Sequence, residues 1–194
     1  MNVKNDRRTR ANAGKERGAR AARGASATLE APGKLVIRAA RRKDAERVWE
    51  LLRGLAVYEK LENRVTGSAR QLARHLFGPR KLVECLVAEQ DGKLIGYALH
   101  YLIYSSFRAQ PMMWLEDLFV EPDRRGSGAG RALIQAVARK AARLGCWRLS
   151  WAVLEWNEPA IGFYESLGAE VKGDWRIMRV TGAALENMAK LAPR

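Results

Sequence analysis

The chain has 194 residues, 47% of them hydrophobic and 29% charged, enough for one domain with a sizeable core. No apolar run is long enough to span a membrane. Two cysteines, Cys85 and Cys146, provide neither a disulfide framework nor a metal-ligand cluster, which fits a reducing, cytoplasmic setting.

The formal net charge is +14, and part of the excess is local, with nine Lys/Arg against three Asp/Glu in residues 1–34 and 26 against 18 in the rest. A basic chain favours anionic partners. A solvated basic face and a specific anion-binding role account for this equally well. Residues 1–33 are rich in Ala, Gly and Arg and hold no aromatic residue, which reads as a disordered basic tail able to bind nucleic acid weakly. The folded domain is expected over residues 34–194.

Leu35 to Arg38 reads as a first strand. Asp44 to about Leu61 has the spacing of an amphipathic helix, with Val48, Leu51, Leu52 and Leu55 on one face. Ser68 is placed to cap a second helix, Ala69 to Phe77, which Gly78-Pro79 stops. Leu82 to Glu89 and Leu94 to Tyr104 are strands around the hairpin signal Asp91-Gly92. Met113 to Val120 is a further strand, ended by Glu121-Pro122.

A glycine-rich loop follows, then a helix from Arg131 to about Leu144. Arg148 to Leu154 reads as a strand, Glu158 to Leu167 as a short helix, and Val171 with Trp175 to Val180 as the last strands. The fold class is mixed α/β, a mostly antiparallel sheet with a parallel portion, flanked by helices.

The loop Arg125-Gly126-Ser127-Gly128-Ala129-Gly130 lies between a strand and a helix. Such a loop leaves backbone N–H groups unpaired at the positive end of a helix, a natural anion site. Arg124, Arg125 and Arg131 add charge suited to phosphate. No Gly-Lys-Ser/Thr follows, so it is not a P-loop. A third glycine for a dinucleotide fingerprint is missing, because that position is Arg131. Tight packing alone also explains glycines before a helix.

The pattern Arg125-x-x-Gly128-x-Gly130 follows the strand end Leu118-Phe119-Val120-Glu121-Pro122. Asn157, Phe163-Tyr164 and Leu167-Gly168-Ala169 come further on. Together these resemble the GNAT superfamily of N-acetyltransferases, from about Leu35 to Met188. Trp114 to Val120, Glu155-Trp156-Asn157-Glu158-Pro159-Ala160-Ile161-Gly162-Phe163-Tyr164, Trp175-Arg176 and Leu55 to Glu59 are similar to diamine (spermidine/spermine-type) acetyltransferases.

The resemblance implies a homodimer that moves an acetyl group from acetyl-CoA directly to a primary amine of a small molecule. It implies Leu118, Phe119 and Val120 along the pantetheine arm, Arg125 to Arg131 at the pyrophosphate, and Asn157, Glu158, Pro159 and Ala160 beside the arm. Tyr58, Glu59, Glu116, Ser150, Trp151 and Ala152 are substrate candidates.

An alkyl ammonium has a pKa near 10.4, so its reactive free base lies roughly 4–5 kcal/mol uphill at pH 7. The resemblance makes Glu116 the base, and binding the cation is the alternative role. Strand alternation sends Glu116 and Asp117 to opposite faces, so that one of them reaches the cleft. Tyr164 is implied as the acid for the leaving thiolate, with a packed core ring as the alternative. Backbone N–H groups of Leu118 to Val120 are implied as oxyanion donors.

The stretch between Tyr164 and Trp175 is a few residues shorter than in polyamine enzymes. Their acidic residue before Gly-Trp has no direct equivalent, and Asp174 is the available substitute. Fewer spaced negative groups suit a diamine or a lysine-like amino acid better than a long polyamine. A protein N-acetyltransferase is the alternative on the same fold. His75, His100 and both cysteines are read as structural.

Overall fold

The structure, a computed structural model, describes residues 33–174 and 176–191. The tail assigned to residues 1–33 therefore lies outside the described residues but for Gly33. The unit from Lys34 onward carries five strands and five α-helices among the described residues. They are β1 (Val36–Ala39), α1 (Ala45–Tyr58), α2 (Ala69–Phe77), β2 (Glu84–Gln90), β3 (Lys93–Ser105), β4 (Gln110–Val120), α3 (Ala129–Arg143), β5 (Leu149–Ser150), α4 (Glu158–Glu165) and α5 (Gly182–Lys190).

The sheet runs in sequence order, β1 to β5. The first three pairings are antiparallel and β4 pairs with β5 in parallel, as expected for a mixed α/β class. β2 and β3 are central and covered on both faces, which is why they read as near-continuous apolar runs. Alternate residues divide between two cores. Val87, Tyr97, Leu99 and Phe119 pack with Val48, Leu51 and Leu76 of α1 and α2. Ala88, Ile95, Ala98, Met113 and Leu115 pack with Leu133, Ile134 and Val137 of α3. The sheet is thus sandwiched between α1–α2 and α3.

Local signals act where they stand in the sequence. Ser68 Oγ accepts from the Gln71 amide at 3.3 Å and caps α2. Asp91 and Gly92 turn the β2–β3 hairpin with φ of 52° and 72°. Arg38 pairs with Asp44 at 2.7 Å and with Glu89, tying the start of α1 to the sheet edge.

Three expectations fail. The strand read over Arg148 to Leu154 shrinks to Leu149–Ser150, because the chain pairs with β4 only at Met113 and Trp114 and then leaves it. The last strands, Val171 and Trp175 to Val180, do not form among the described residues; Ile177, Met178 and Val180 are exposed and α5 follows instead. α1 ends at Tyr58 rather than near Leu61, because Lys60 takes a left-handed φ of 59° and Glu62–Arg64 forms a 3-10 turn.

Candidate active site

A cavity of about 490 Å³ opens where β5 leaves β4. Its walls come from the end of α1, the second half of β4, the glycine loop with the start of α3, residues 151–154, and α4. The cause is in the strand register. The Glu121 amide donates to the Ile95 carbonyl at 2.9 Å. Antiparallel alternation then gives the backbone groups of Phe119 and Asp117 to β3 and turns those of Leu118 and Val120 the other way. On that side β5 has already departed, so this edge of β4 faces the cavity.

The loop supplies the second wall. Gly126 and Gly128 have φ of +77° and +85°, and a Cβ at either would meet nothing within 4 Å. Glycine is there for backbone conformation, not for close packing. Gly128 is the N-cap of α3 and offers no side chain to cap it; Ser127 Oγ accepts the Ala129 amide over a long 3.4 Å, and the first turn of α3 lines the cavity with Arg124, Arg125 and Arg131 beside it. The arrangement fits a pyrophosphate. Ser127 shapes the loop from outside the cavity wall; its hydroxyl donates to the Arg124 carbonyl at 2.7 Å.

Arg125 is anchored across the cavity. Its guanidinium lies 4.4 Å from the centre of the Tyr58 ring, and its Nε donates to the Val120 carbonyl at 3.4 Å. Tyr58 in turn donates to Asn157 Oδ1 at 2.9 Å. Asn157 is buried and caps α4. Pro159 and Ala160 line the cavity from the first turn of α4, whereas exposed Glu158 does not.

The opposite wall is anionic, with Glu59, Glu116 and Asp117. The expectation that Glu116 and Asp117 face apart is corrected by a β-bulge. Leu99 pairs with Asp117 and His100 with Leu115, so Glu116 is the unpaired residue between them. Both carboxylates consequently line the cavity. Glu116 Oε2 accepts from the Tyr101 hydroxyl at 3.0 Å and from the Trp114 indole at 2.9 Å. Asp117 Oδ2 accepts from Tyr97 at 3.2 Å. Burial, reinforced by the Glu116 charge, pushes the Asp117 carboxyl up to about 6. Burial also raises Glu59.

Tyr164 projects from α4 against Trp151, ring centres 4.8 Å apart. Burial, with the Glu59 charge second, pushes its phenol up to about 12. It therefore keeps its proton at neutral pH. Trp151 and Ala152 line the cavity; Ser150 is held in β5, and exposed Asp174 lies outside the wall. Asp117 is the residue that strand alternation hides, since a bulge leaves no periodic trace. Val153 and Leu154 line the cavity too, signalled only by their place between Ala152 and Asn157. His100 is buried under α3, His75 is half-buried, and both cysteines are free.

The Acetyltransferase (GNAT) family pattern matches residues 49–169, which span the cavity walls. A thialysine N-epsilon-acetyltransferase of Sus scrofa is 36% identical over 80% of this chain and 97% of its own. An L-ornithine N5-acetyltransferase of Arabidopsis thaliana is 41% identical over 61% of this chain and 49% of its own. Among solved structures, an integron cassette protein of V. cholerae superposes with a TM-score of 0.68 at 25% identity, covering 81% of this chain and 98% of its own. The chain belongs to the GNAT family of acetyltransferases and is an N-acetyltransferase.

Proposed function

We propose that the protein transfers an acetyl group from acetyl-CoA to a primary amine of a small molecule, a diamine, a polyamine or a lysine-like amino acid. The observation that carries this is one cavity with a cationic, glycine-lined wall, an open backbone edge and an anionic wall. Bound acetyl-CoA supplies an activated thioester. Gly126 to Arg131 hold its pyrophosphate, with Ser127 supporting the loop, and the open edge at Leu118 and Val120 pairs with the amide groups of its arm, much as an added strand would. Phe119 backs that edge from the other face. Asn157 to Ala160 flank the arm.

The anionic wall suits an ammonium. Glu59 and Glu116 bind it beside Tyr58, and a carboxylate of the β4 bulge takes its proton, Glu116 being the one the resemblance implies. Tyr164, protonated at neutral pH, gives a proton to the departing sulfur. The relatives named for thialysine and ornithine support a lysine-like acceptor. The exposed position of Asp174 speaks for a short acceptor over a long polyamine.

The same reading places the enzyme in the cytoplasm, which its free cysteines support, and makes it a homodimer, which the exposed apolar residues Ile177, Met178, Leu185 and Met188 support. Thiol release from acetyl-CoA, measured with lysine analogues, diamines, polyamines and a lysine-containing peptide, tests the reading. Turnover with the small amines is expected; turnover with the peptide alone overturns the small-molecule substrate.

A further inference from the structure

Away from the active-site cavity, the 3-10 turn Arg42–Asp44 and α2 enclose an open hollow of about 560 Å³. It shares no lining residue with that cavity. Three arginines line it, Arg42 from the turn and Arg70 and Arg74 from α2, with Gly78 and Pro79 at its end. No carboxylate and no aromatic residue is part of the lining.

The frame of the hollow is fixed by its own bonds. A Cβ at Gly78 would stand 2.4 Å from the Arg74 carbonyl oxygen, so only glycine lets the chain turn this tightly off α2. The Leu82 amide donates to the His75 carbonyl at 3.0 Å and holds the departing segment against the helix. Arg42 Nη2 donates to the Phe77 carbonyl at 3.0 Å. That bond satisfies an open carbonyl at the helix end and sets the guanidinium at the rim.

The positive charge here has no protein counter-charge. Elsewhere Arg38, Arg47 and Lys140 each pair with a carboxylate. Arg42, Arg70 and Arg74 make no ion pair among the described residues. The sequence supplies the reason, since α2 reads ARQLARHLF and contains no acid. Arg70 and Arg74 are four residues apart, so they share a face of the helix and repel. Arg70 also stands in the first turn, where the positive end of the helix disfavours a cation. Exposed Arg41, Lys43, Arg80 and Lys81 extend the positive charge on both sides. Such a cluster costs α2 stability, and an anion in the hollow reverses that cost.

A guanidinium offers a planar fork that binds two phosphate oxygens at once. Three such forks around one hollow suit several phosphate groups in series. The lining has no ring on which a base could stack, which disfavours a single-stranded nucleic acid. We propose that this corner is a second anion site, separate from the acetyl-CoA cavity, and that Arg42, Arg70 and Arg74 bind an inorganic oligophosphate there. The site is independent of which amine the enzyme acetylates.

Calorimetric titration of the full chain with sodium tripolyphosphate tests this, at fixed ionic strength and with acetyl-CoA saturating the cavity. Saturable binding of one tripolyphosphate per chain is expected. Arg70→Gln and Arg74→Gln should each weaken it about tenfold or more. Arg74→Lys keeps the charge but lacks the fork, so it too should weaken binding. Arg139→Gln, at an exposed arginine of α3, should change affinity little. Arg42 stays in place because it also closes the end of α2. Without ligand, Arg70→Gln and Arg74→Gln should melt no lower than the wild type, because each removes a like-charge contact. Should either fail to fold, Arg74→Lys decides.

Absence of binding, displacement of tripolyphosphate by acetyl-CoA, equal weakening by Arg139→Gln, or full affinity in Arg74→Lys overturns the proposal. A single-stranded oligonucleotide that binds more tightly than tripolyphosphate at equal phosphate concentration overturns the choice of ligand and makes the corner a nucleic-acid surface.

Discussion

The hydroxyl of Tyr58 donates to Oδ1 of Asn157 at 2.9 Å, a bond between residues 99 positions apart. It joins the last residue of α1 to the cap of α4 and closes one side of the cavity. Asn157 also receives the Ala160 amide, at 3.4 Å. Asn157→Ala thus removes a helix cap and leaves the Tyr58 hydroxyl without its partner. Together these losses should lower unfolding free energy by about 1–3 kcal/mol, read from urea denaturation. Tyr58→Phe should cost less, about 1 kcal/mol. Effects of the two that simply add in the double variant would show that the bond does not couple the elements.

Tyr164→Phe keeps the ring that packs on Trp151 and deletes the proton. Turnover is expected to fall about 10²-fold or more, with acetyl-CoA affinity nearly unchanged. An unchanged rate in a stopped assay of thiol release would remove Tyr164 as the acid and leave it a packing residue.

Gly128→Ala introduces a side chain at φ +85°, where it meets no neighbouring atom. The penalty is conformational, about 1–2 kcal/mol, and falls on the loop proposed to hold the cosubstrate's phosphates. The exposed loop can relieve this strain when empty and meets it again on binding, so acetyl-CoA affinity, measured by calorimetry, should weaken about tenfold while the melting temperature changes little. A large drop in melting temperature without loss of affinity would make the loop a packing element.

Stability should also report on Asp117. Its carboxyl is raised from the ordinary 3.8 to about 6. Above pH 6 the folded state therefore carries a charge that the unfolded chain bears more comfortably. The penalty is full above pH 6, fades as pH falls toward 3.8, and is absent below that. Asp117→Asn should accordingly be more stable than the wild type at pH 8, by about 1–3 kcal/mol. The gain should vanish near pH 3.5. Greater wild-type stability at pH 8 would contradict a charge disfavoured by partial burial and by the neighbouring Glu116. A stabilising substitution that abolishes turnover would mark Asp117 as held for function.

Local signals in the sequence found most of the elements. Ser68, Asp91-Gly92 and Gly78-Pro79 act within a few residues of themselves, so the ends of α2 and the β2–β3 hairpin follow from neighbouring residues alone. The pattern Arg125-x-x-Gly128-x-Gly130 likewise carries its own geometry, through left-handed glycines before a helix. The segment from 171 to 180 shows the opposite case. Its side chains suit a strand, but strands need a partner edge, and here the segment has none and stays irregular among the described residues.

By itself, the sequence determined the mixed fold, the glycine loop before α3, and the identity of the residues around Glu116 and Tyr164. These depend on periodicity, capping and backbone freedom, all local properties. Only the tertiary structure decided that β5 leaves β4 after Trp114, that Arg125 reaches Tyr58, and that Asp117 joins Glu116 in the cavity. Each depends on pairing between distant strands or helices. One extra residue in β4 against β3, with no mark in the sequence, turns a pair of opposed carboxylates into neighbours.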